Sequence, residues 1–567
     1  MKRQQENYPY YNTRRVNDLK QLVNEAAELY GNKELFVYRR NKEIVSKSFI
    51  DFKNDINYFG TALVSQFGFS EEHMAIVAEN SYEWLVVYFT AIISHGVFVP
   101  IDRELPPEGI ANILKISDSS ILVVSDNFSV KLADVIPTLD FIKTKIIIGK
   151  EKEGYFSFEK LLEIGKEQME AGNTDFVSLV PITDTLSSLV FTSGTTGTAK
   201  GVMLTQANIV STAINALDSI HIGPSAISVL PYNHTYESTT GILCYVHEGR
   251  TIYINESLRM FANNLKEYKP TDMQCVPLIA ESLYKKIWST AEETGKDKTL
   301  KKALKISRFL MKHGIDIRRK LFKSVLEGLG GNLSCMICGG AAVKPNIGEF
   351  FYDIGITVLV GYGITECSPL VSANRNYFFD FASAGVPIRG CSVKIDSPDE
   401  NGEGEICVKG ENVMMGYYKN PEATANAFKD GWFLTGDIGK IDDKGRIYIT
   451  GRKKNLIVLK NGKNVYPEEI ESYFDESRNI AEIVVYAIRD ESDHEAAITA
   501  EIFPNMNNVT EDHPLEKVRE DIRAEIEEVN KKLPMYKQIK NVTFRDKEFD
   551  KTSTKKIKRF AVGQKKA

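Results

Sequence analysis

Leu189-Val190-Phe191-Thr192-Ser193-Gly194-Thr195-Thr196-Gly197-Thr198-Ala199-Lys200-Gly201-Val202 begins as an apolar run and breaks into glycines and hydroxyls. A strand ending in such a loop can cradle phosphate. Glycines let backbone N–H groups curl around an anion, hydroxyls add donors, and Lys200 adds positive charge. It is not a Walker A loop, because no Gly-Lys in the chain is followed by Ser or Thr. An ordinary Ser/Thr/Gly turn is the plainer reading, but so dense a run straight after an apolar strand argues against it.

Around this loop, β-branched runs alternate with amphipathic helical patterns. Met74 to Val77, Val97 to Pro100, Ile121 to Ser125, Ile146 to Ile148, Leu189 to Thr192, Ile227 to Leu230 and Thr357 to Val360 read as buried strands. Thr205 to Ile220 reads as a helix, with Val210, Ala213, Ile214, Leu217 and Ile220 on one face. This alternation predicts an α/β fold whose sheets are mostly parallel, with functional residues at strand carboxyl ends.

Beyond Ala382 the sequence becomes glycine-punctuated and strand-rich, which predicts a small β subdomain over about 383–452. After Arg452 it changes again. Strands over Ile483 to Ala487, Ile498 to Ile502 and Val542 to Phe544, with a helix over Leu515 to Leu533, predict an α+β domain over 453–567. The N-terminal domain is then 1–452, and Leu283 to Leu329 within it reads as helical, basic and polar.

A chain of 567 residues is too long for one core. Its net charge of -5 gives no global case for nucleic acid as a partner. Seven cysteines, an odd number spread over the chain, fit a reducing compartment. Cys335 and Cys338 form a lone CxxC inside an apolar run, so buried strand is preferred over a metal site. The N-terminus has no apolar signal region, and Trp84 to Ser94 is shorter than the about 20 residues that span a bilayer. The expected location is cytoplasmic, with peripheral membrane contact left open. No Gly-x-Ser-x-Gly or Gly-x-Gly-x-x-Gly occurs, and His494-Glu495-Ala-Ala-Ile498 is one histidine short of a zinc protease motif.

The loop at 191–202 resembles the phosphate-binding signature of the adenylate-forming superfamily, and further motifs follow in the family's order. Leu230-Pro-Tyr-Asn-His234 resembles the segment whose histidine borders the acyl pocket. Gly339-Gly340-Ala341-Ala342 resembles the turn along the adenine. Gly361-Tyr362-Gly363-Ile364-Thr365-Glu366 resembles the segment that stacks on adenine and holds magnesium. Thr435-Gly-Asp437 and Gly451-Arg452 resemble the ribose-binding acid and arginine. Lys551-Thr-Ser-Thr-Lys555-Lys556-Ile resembles the catalytic lysine loop, although the family usually has glycine where Lys555 stands. Alignment favours Lys556, and Lys555 stays a candidate.

The resemblance implies that ATP and Mg²⁺ activate a carboxylic acid as acyl-AMP. Catalytic candidates are Lys556, Thr365, Glu366 and His234. Nucleotide candidates are Thr192, Ser193, Gly194, Thr195, Thr196, Gly197, Lys200, Gly339, Gly340, Ala341, Gly361, Tyr362, Gly363, Thr365, Asp437 and Arg452. Glu366 and Thr192 are the metal candidates, since Mg²⁺ is a hard cation that prefers oxygen. A swing about Lys454 then implies that Gly462, Lys463 and Asn464 meet the pantetheine of coenzyme A.

Arg318-Arg319-Lys320-Leu, Leu329-Gly-Gly-Asn and Leu230 to Glu237 are similar to the long-chain fatty acyl-CoA synthetase subgroup, which implies a fatty acid substrate. Ser238 stands near the position where some long-chain members carry a gating tryptophan. An acyl carrier protein is the alternative acceptor, and a non-catalytic nucleotide-binding protein is the alternative of another class. The chain is expected to act as a monomer or homodimer. The basic tail from Lys558 to Lys566 reads as a solvated run, or as a contact for coenzyme A phosphates or an anionic membrane.

Overall fold

The computed structural model describes residues 6–192, 199–458, 464–475, 477–488, 497–551, 557–559 and 562. Met1–Val393, Val408–Phe433 and Lys444–Arg446 form one compact unit, and Lys394–Cys407, Leu434–Asp443 and Ile447–Ala567 form a second.

The first unit holds two large sheets. One has eight strands, running from Gly416–Tyr417 through Lys200–Thr205, Leu186–Thr192, Val97–Pro100, His73–Val77, Ser119–Ser125 and Thr144–Ile148 to Phe156–Ser157. From Leu186–Thr192 onward the neighbours are parallel. Val97, Val99, Leu122 and Val124 are fully or almost fully buried, as expected of a parallel sheet covered on both faces. The helix Tyr82–Ile93 is buried at every residue, and its Ser81 cap accepts from the Trp84 amide. The apolar stretch is therefore a core helix, and no described helix is long and apolar enough to cross a membrane.

The second sheet has nine strands: Val386–Pro387, Leu370–Ala373, Thr357–Gly363, Cys335–Cys338, Asp272–Cys275, Ser225–Ser228, Thr251–Ile254, Glu34–Arg40 and Glu43–Ser48, in that order. Parallel pairing runs from Thr357–Gly363 to Glu34–Arg40. Cys335 and Cys338 lie on one of these strands, and no three His, Cys, Asp or Glu side chains cluster as metal ligands among the described residues. In the eight-stranded sheet, the helix Gln206–Ser219 follows the antiparallel strand Lys200–Thr205 and starts at a capping box in which Thr205 and Asn208 satisfy each other's amides.

The N-terminal segment is tied to this unit by one buried cation. Arg375 is fully buried. Its guanidinium donates to Asn7 Oδ1 and to the Pro9 carbonyl at 2.9 Å each, and also to the Tyr8 carbonyl. It lies 3.9 Å from the Tyr8 ring centroid and 4.8 Å from that of Tyr10.

Strands follow over Cys391–Asp396, Gly404–Gly410, Phe428–Lys429, Trp432–Ile441 and Ile447–Arg452, where glycine punctuation predicts them, and Trp432–Ile441 pairs antiparallel with both Phe428–Lys429 and Ile447–Arg452. The C-terminal part of the second unit pairs Ile480–Ile488 antiparallel with Ala497–Pro504, which pairs parallel with Asn541–Phe544. The helix Leu515–Lys532 buries Val518, Ile522, Ile526 and Val529, the spacing of one helical face.

Candidate active site

Three of the quoted segments leave a set of four neighbouring strands in the nine-stranded sheet. Thr357–Gly363, Cys335–Cys338, Asp272–Cys275 and Ser225–Ser228 lie side by side and parallel, so their carboxyl ends share one edge. Gly361 to Glu366 leaves the first, Gly339 to Ala341 the second and His234 the last. Ligands in open α/β sheets gather at such an edge. The Gly339 amide donates to Cys275 O at 3.1 Å, and Tyr236 donates from its hydroxyl to Ile337 O at 2.7 Å, which joins the three loops. Gly363 cannot carry a side chain, because a Cβ there would lie 2.1 Å from Pro369 O. Tyr362 is buried, Thr365 and Glu366 are half-buried, and Ser238 donates to the His234 carbonyl at 3.3 Å.

Thr192 ends one strand and Lys200 opens the next, as antiparallel register partners. The two residues close the base of the expected phosphate loop, while Ser193 to Gly197 lie outside the described residues. Lys200 Nζ sits 4.9 Å from the centroid of the Tyr417 ring, and Tyr417 donates from its hydroxyl to Glu366 Oε1 at 2.9 Å. One phenol thus connects the loop lysine to the metal-candidate carboxylate. Burial first, and the Glu366 charge second, push the Tyr417 phenol well above its ordinary range, so it stays a donor. Lys200 and Tyr417 also line a surface cleft of about 380 Å³ with Asn420, Glu422 and Asn426. Sequence reading missed Tyr417, which is an ordinary aromatic between glycine and Pro421 with no motif of its own.

Glu366 fits a magnesium ion. It is a half-buried carboxylate, and among the described residues only Tyr417 donates to its side chain, through Oε1. Mg²⁺ commonly takes one or two protein carboxylates and completes its shell with phosphates and water. Tyr417→Phe keeps the ring under Lys200 but removes the donor. A hydrogen bond to a charged group contributes about 1.5–3 kcal/mol. We expect a roughly tenfold weaker apparent affinity for Mg²⁺, read from the Mg²⁺ dependence of pyrophosphate exchange and from Mn²⁺–ATP binding.

Next to this edge, Tyr236–Leu243 forms a π-helix that carries Glu237 inward. Ser228 donates to Glu237 Oε1, and Oε2 has no hydrogen-bond partner among the described residues. Burial pushes this carboxyl up to about 8, against which the Ser228 bond works weakly. The folded value exceeds the unfolded one, so its contribution is fully present at low pH and is lost as pH rises toward 8. Glu237→Gln removes that dependence. From pH 5 to 8 the wild type should lose about 1.4 kcal/mol per pH unit relative to the variant, measured as the difference in thermal stability across that range.

In the second unit, Asp437 and Arg452 are cross-strand partners, with Arg452 Nε 2.5 Å from Asp437 Oδ1. Gly436 takes a φ of +70°, which turns the chain so that the Asp437 amide donates to Thr435 Oγ1 at 3.0 Å. Thr435 donates onward to Ile406 O at 2.8 Å. Asp437 is almost fully buried, so it can hold one geometry for two vicinal hydroxyls. Lys454 lines a cleft of about 280 Å³ with Asn455, Tyr486, Arg559 and Val562.

Two further loops are tied at their bases. Ile457–Val458 pairs with Asn464–Val465, and an isolated bridge joins Lys551 to Ile557. Gly462, Lys463, Lys555 and Lys556 fall between these ends and lie outside the described residues.

The AMP-binding enzyme family model matches residues 23–418, and the AMP-binding enzyme C-terminal domain model matches 454–565. Among curated relatives, a long-chain-fatty-acid–CoA ligase of Mycobacterium bovis, FadD15, is 28% identical over 452 residues, covering 76% of this chain and 74% of its own. The human long-chain-fatty-acid–CoA ligase 6 is 29% identical over 514 residues, covering 84% and 72%. The fold is similar to that of the anthranilate CoA ligase AuaEII in complex with anthranoyl-AMP, with a TM-score of 0.75 at 20% identity, over 98% of this chain and 97% of that one. The two family matches together cover most of the chain: the chain belongs to the AMP-binding enzyme family, the adenylate-forming acid–thiol ligases.

Proposed function

We propose that this chain converts a medium- to long-chain fatty acid, ATP and coenzyme A to acyl-CoA, AMP and pyrophosphate through an acyl-AMP. The observation that carries the reading is the shared strand edge bearing His234, Gly339 to Ala341 and Gly361 to Glu366, with Glu366 tied through Tyr417 to Lys200. The fatty acid is supported by the curated relatives, which are long-chain-fatty-acid–CoA ligases at about 30% identity.

A carboxylate is a poor electrophile, because its charge repels nucleophiles and oxide leaves badly. Its oxygen attacks the α-phosphate, the bond to the β-phosphate oxygen breaks, and pyrophosphate departs. That step brings two anions together, so fixed positive charge matters more than proton transfer. In this reading Ser193 to Gly197 hold the phosphates with Thr192 and Lys200, and Lys556 bridges the carboxylate and the α-phosphate. Glu366, with Thr192 as a further oxygen, would hold Mg²⁺, which would supply positive charge against the phosphates. Gly339 to Ala341 and Gly361 to Gly363 flank adenine, Thr365 bonds the α-phosphate, and Asp437 and Arg452 hold the ribose. His234 borders the acyl pocket. After a turn about Lys454, Gly462, Lys463 and Asn464 guide the pantetheine. The thiol then gives up its proton to solvent, its sulfur bonds to the acyl carbonyl carbon, and AMP leaves with the electrons of the broken mixed-anhydride C–O bond.

The test is product analysis with acids from acetate to oleate, with and without coenzyme A. Acyl-CoA formation that rises to a maximum at a long chain is the expected result. A maximum at a short or aromatic acid would contradict the fatty-acid reading. Acyl-AMP that forms but ignores coenzyme A would move the acceptor to a carrier protein.

A further inference from the structure

The helix Asp297–Lys312 carries a face that the proposed chemistry does not use. Leu300, Leu304 and Ser307 are buried, and Ser307 and Arg308 fasten the helix to Asp353 at 2.7 and 2.5 Å. On the outside stand Lys298, Lys301, Lys302, Lys305, Ile306, Phe309 and Lys312. Phe309 is 62% exposed. Ile306 lies one turn before it on the same face. At the helix end Gly314 takes a φ of +80° and the Ile315 amide returns to Leu310 O at 2.9 Å, so Ile315 doubles back to the last turn. Ile315 is 50% exposed, and Ile317 is exposed beside it.

Charge surrounds this apolar tip. Residues 297–320 hold nine basic and two acidic side chains, in a protein whose net charge is -5. Lys298, Lys302, Lys305, Lys312 and Lys320 have no ion pair among the described residues. The exposed apolar side chains depart from the basic, polar reading of the segment's sequence. Four apolar side chains, 37 to 62% exposed, stand inside a field of lysines without ion pairs among the described residues.

We propose that this face docks on an anionic lipid bilayer, with Ile306, Phe309, Ile315 and Ile317 entering the headgroup boundary and the lysines meeting lipid phosphates. An amphipathic helix with lysines flanking aromatic and aliphatic side chains is the pattern of an interfacial anchor. Nucleic acid is the competing polyanion. It would engage the lysines but would leave three isoleucines without partners, since a phosphate backbone offers no apolar boundary. The proposal stands apart from the chain-length reading and would survive its failure.

The experiment is co-sedimentation of the full chain with vesicles of phosphatidylcholine containing about a quarter phosphatidylglycerol, beside pure phosphatidylcholine vesicles. Binding to the anionic vesicles alone, released by high salt, is expected. Phe309→Ser with Ile315→Ser should weaken that binding at least about tenfold, and Lys302→Glu with Lys305→Glu should weaken it comparably. Both variants should keep the wild-type melting temperature and the wild-type rate with a water-soluble acid. Failure to bind, equal binding to neutral vesicles, or an apolar double variant that binds as well as wild type would overturn the proposal. Tighter binding to a DNA duplex than to vesicles, unaffected by the apolar variant, would do the same in favour of nucleic acid.

Discussion

Glu366→Gln is expected to slow acyl-adenylate formation about a hundredfold, because it removes the negative charge that would hold the metal while keeping the shape of the side chain. The carboxylate is half-buried, and Tyr417 still finds an oxygen acceptor in the amide. Folding should therefore be unaffected, and the loss should lie in chemistry. Pyrophosphate exchange into ATP, followed over a range of Mg²⁺ concentrations, reads this directly. Normal exchange at saturating Mg²⁺ would remove Glu366 from the metal role. The milder effect of Tyr417→Phe fits the same scheme, since that variant leaves the charge and loses only its positioning bond.

Arg375→Ala is expected to release the N-terminal segment. Three hydrogen bonds run from the guanidinium to Asn7, Tyr8 and Pro9, and the cation lies against the rings of Tyr8 and Tyr10. Each bond contributes about 1 kcal/mol, so the clip as a whole contributes on the order of 3 kcal/mol. Cleavage of the segment by a low concentration of protease, which tracks the population of the open form, should rise about a hundredfold. Unchanged cleavage would show that other contacts hold the segment. Asp218 is the first of these to examine, because it accepts from the Thr13 amide and pairs with Arg15.

Much of the fold was legible because burial leaves a strong mark on sequence. Val97–Pro100, Ser119–Ser125 and Thr357–Gly363 are apolar on both faces, and their β-branched runs are bounded by turn residues. The helix Leu515–Lys532 shows its buried stripe at helical spacing. The strands Glu34–Arg40 and Glu43–Ser48 were missed. The outer one is mostly exposed and reads as mixed polar and apolar sequence, without a continuous buried run. The π-helix Tyr236–Leu243 was also invisible, since one extra residue in a turn has no residue preference strong enough to mark it.

The site divides in the same way. Glycine-rich turns such as Gly339 to Ala341 and Gly361 to Glu366 announce themselves, because their geometry demands particular residues. Asp437 and Arg452 were placed in separate motifs, and antiparallel register brings them face to face. Tyr417 works through a partner fifty-one positions away, and no local spacing encodes such a contact. The apolar tip at Phe309 was read as part of a polar helix, because its lysines dominate the composition and only exposure shows which side chains lack a core.

The central claim is that the acid is activated by bonding to the α-phosphate of ATP. It is tested most directly by following heavy oxygen from a labelled carboxylate of oleate during turnover with ATP, Mg²⁺ and coenzyme A. Adenylation predicts that one labelled oxygen appears in the phosphate of AMP and that the thioester keeps the other. Label in inorganic phosphate together with ADP, or AMP that carries none, would contradict it.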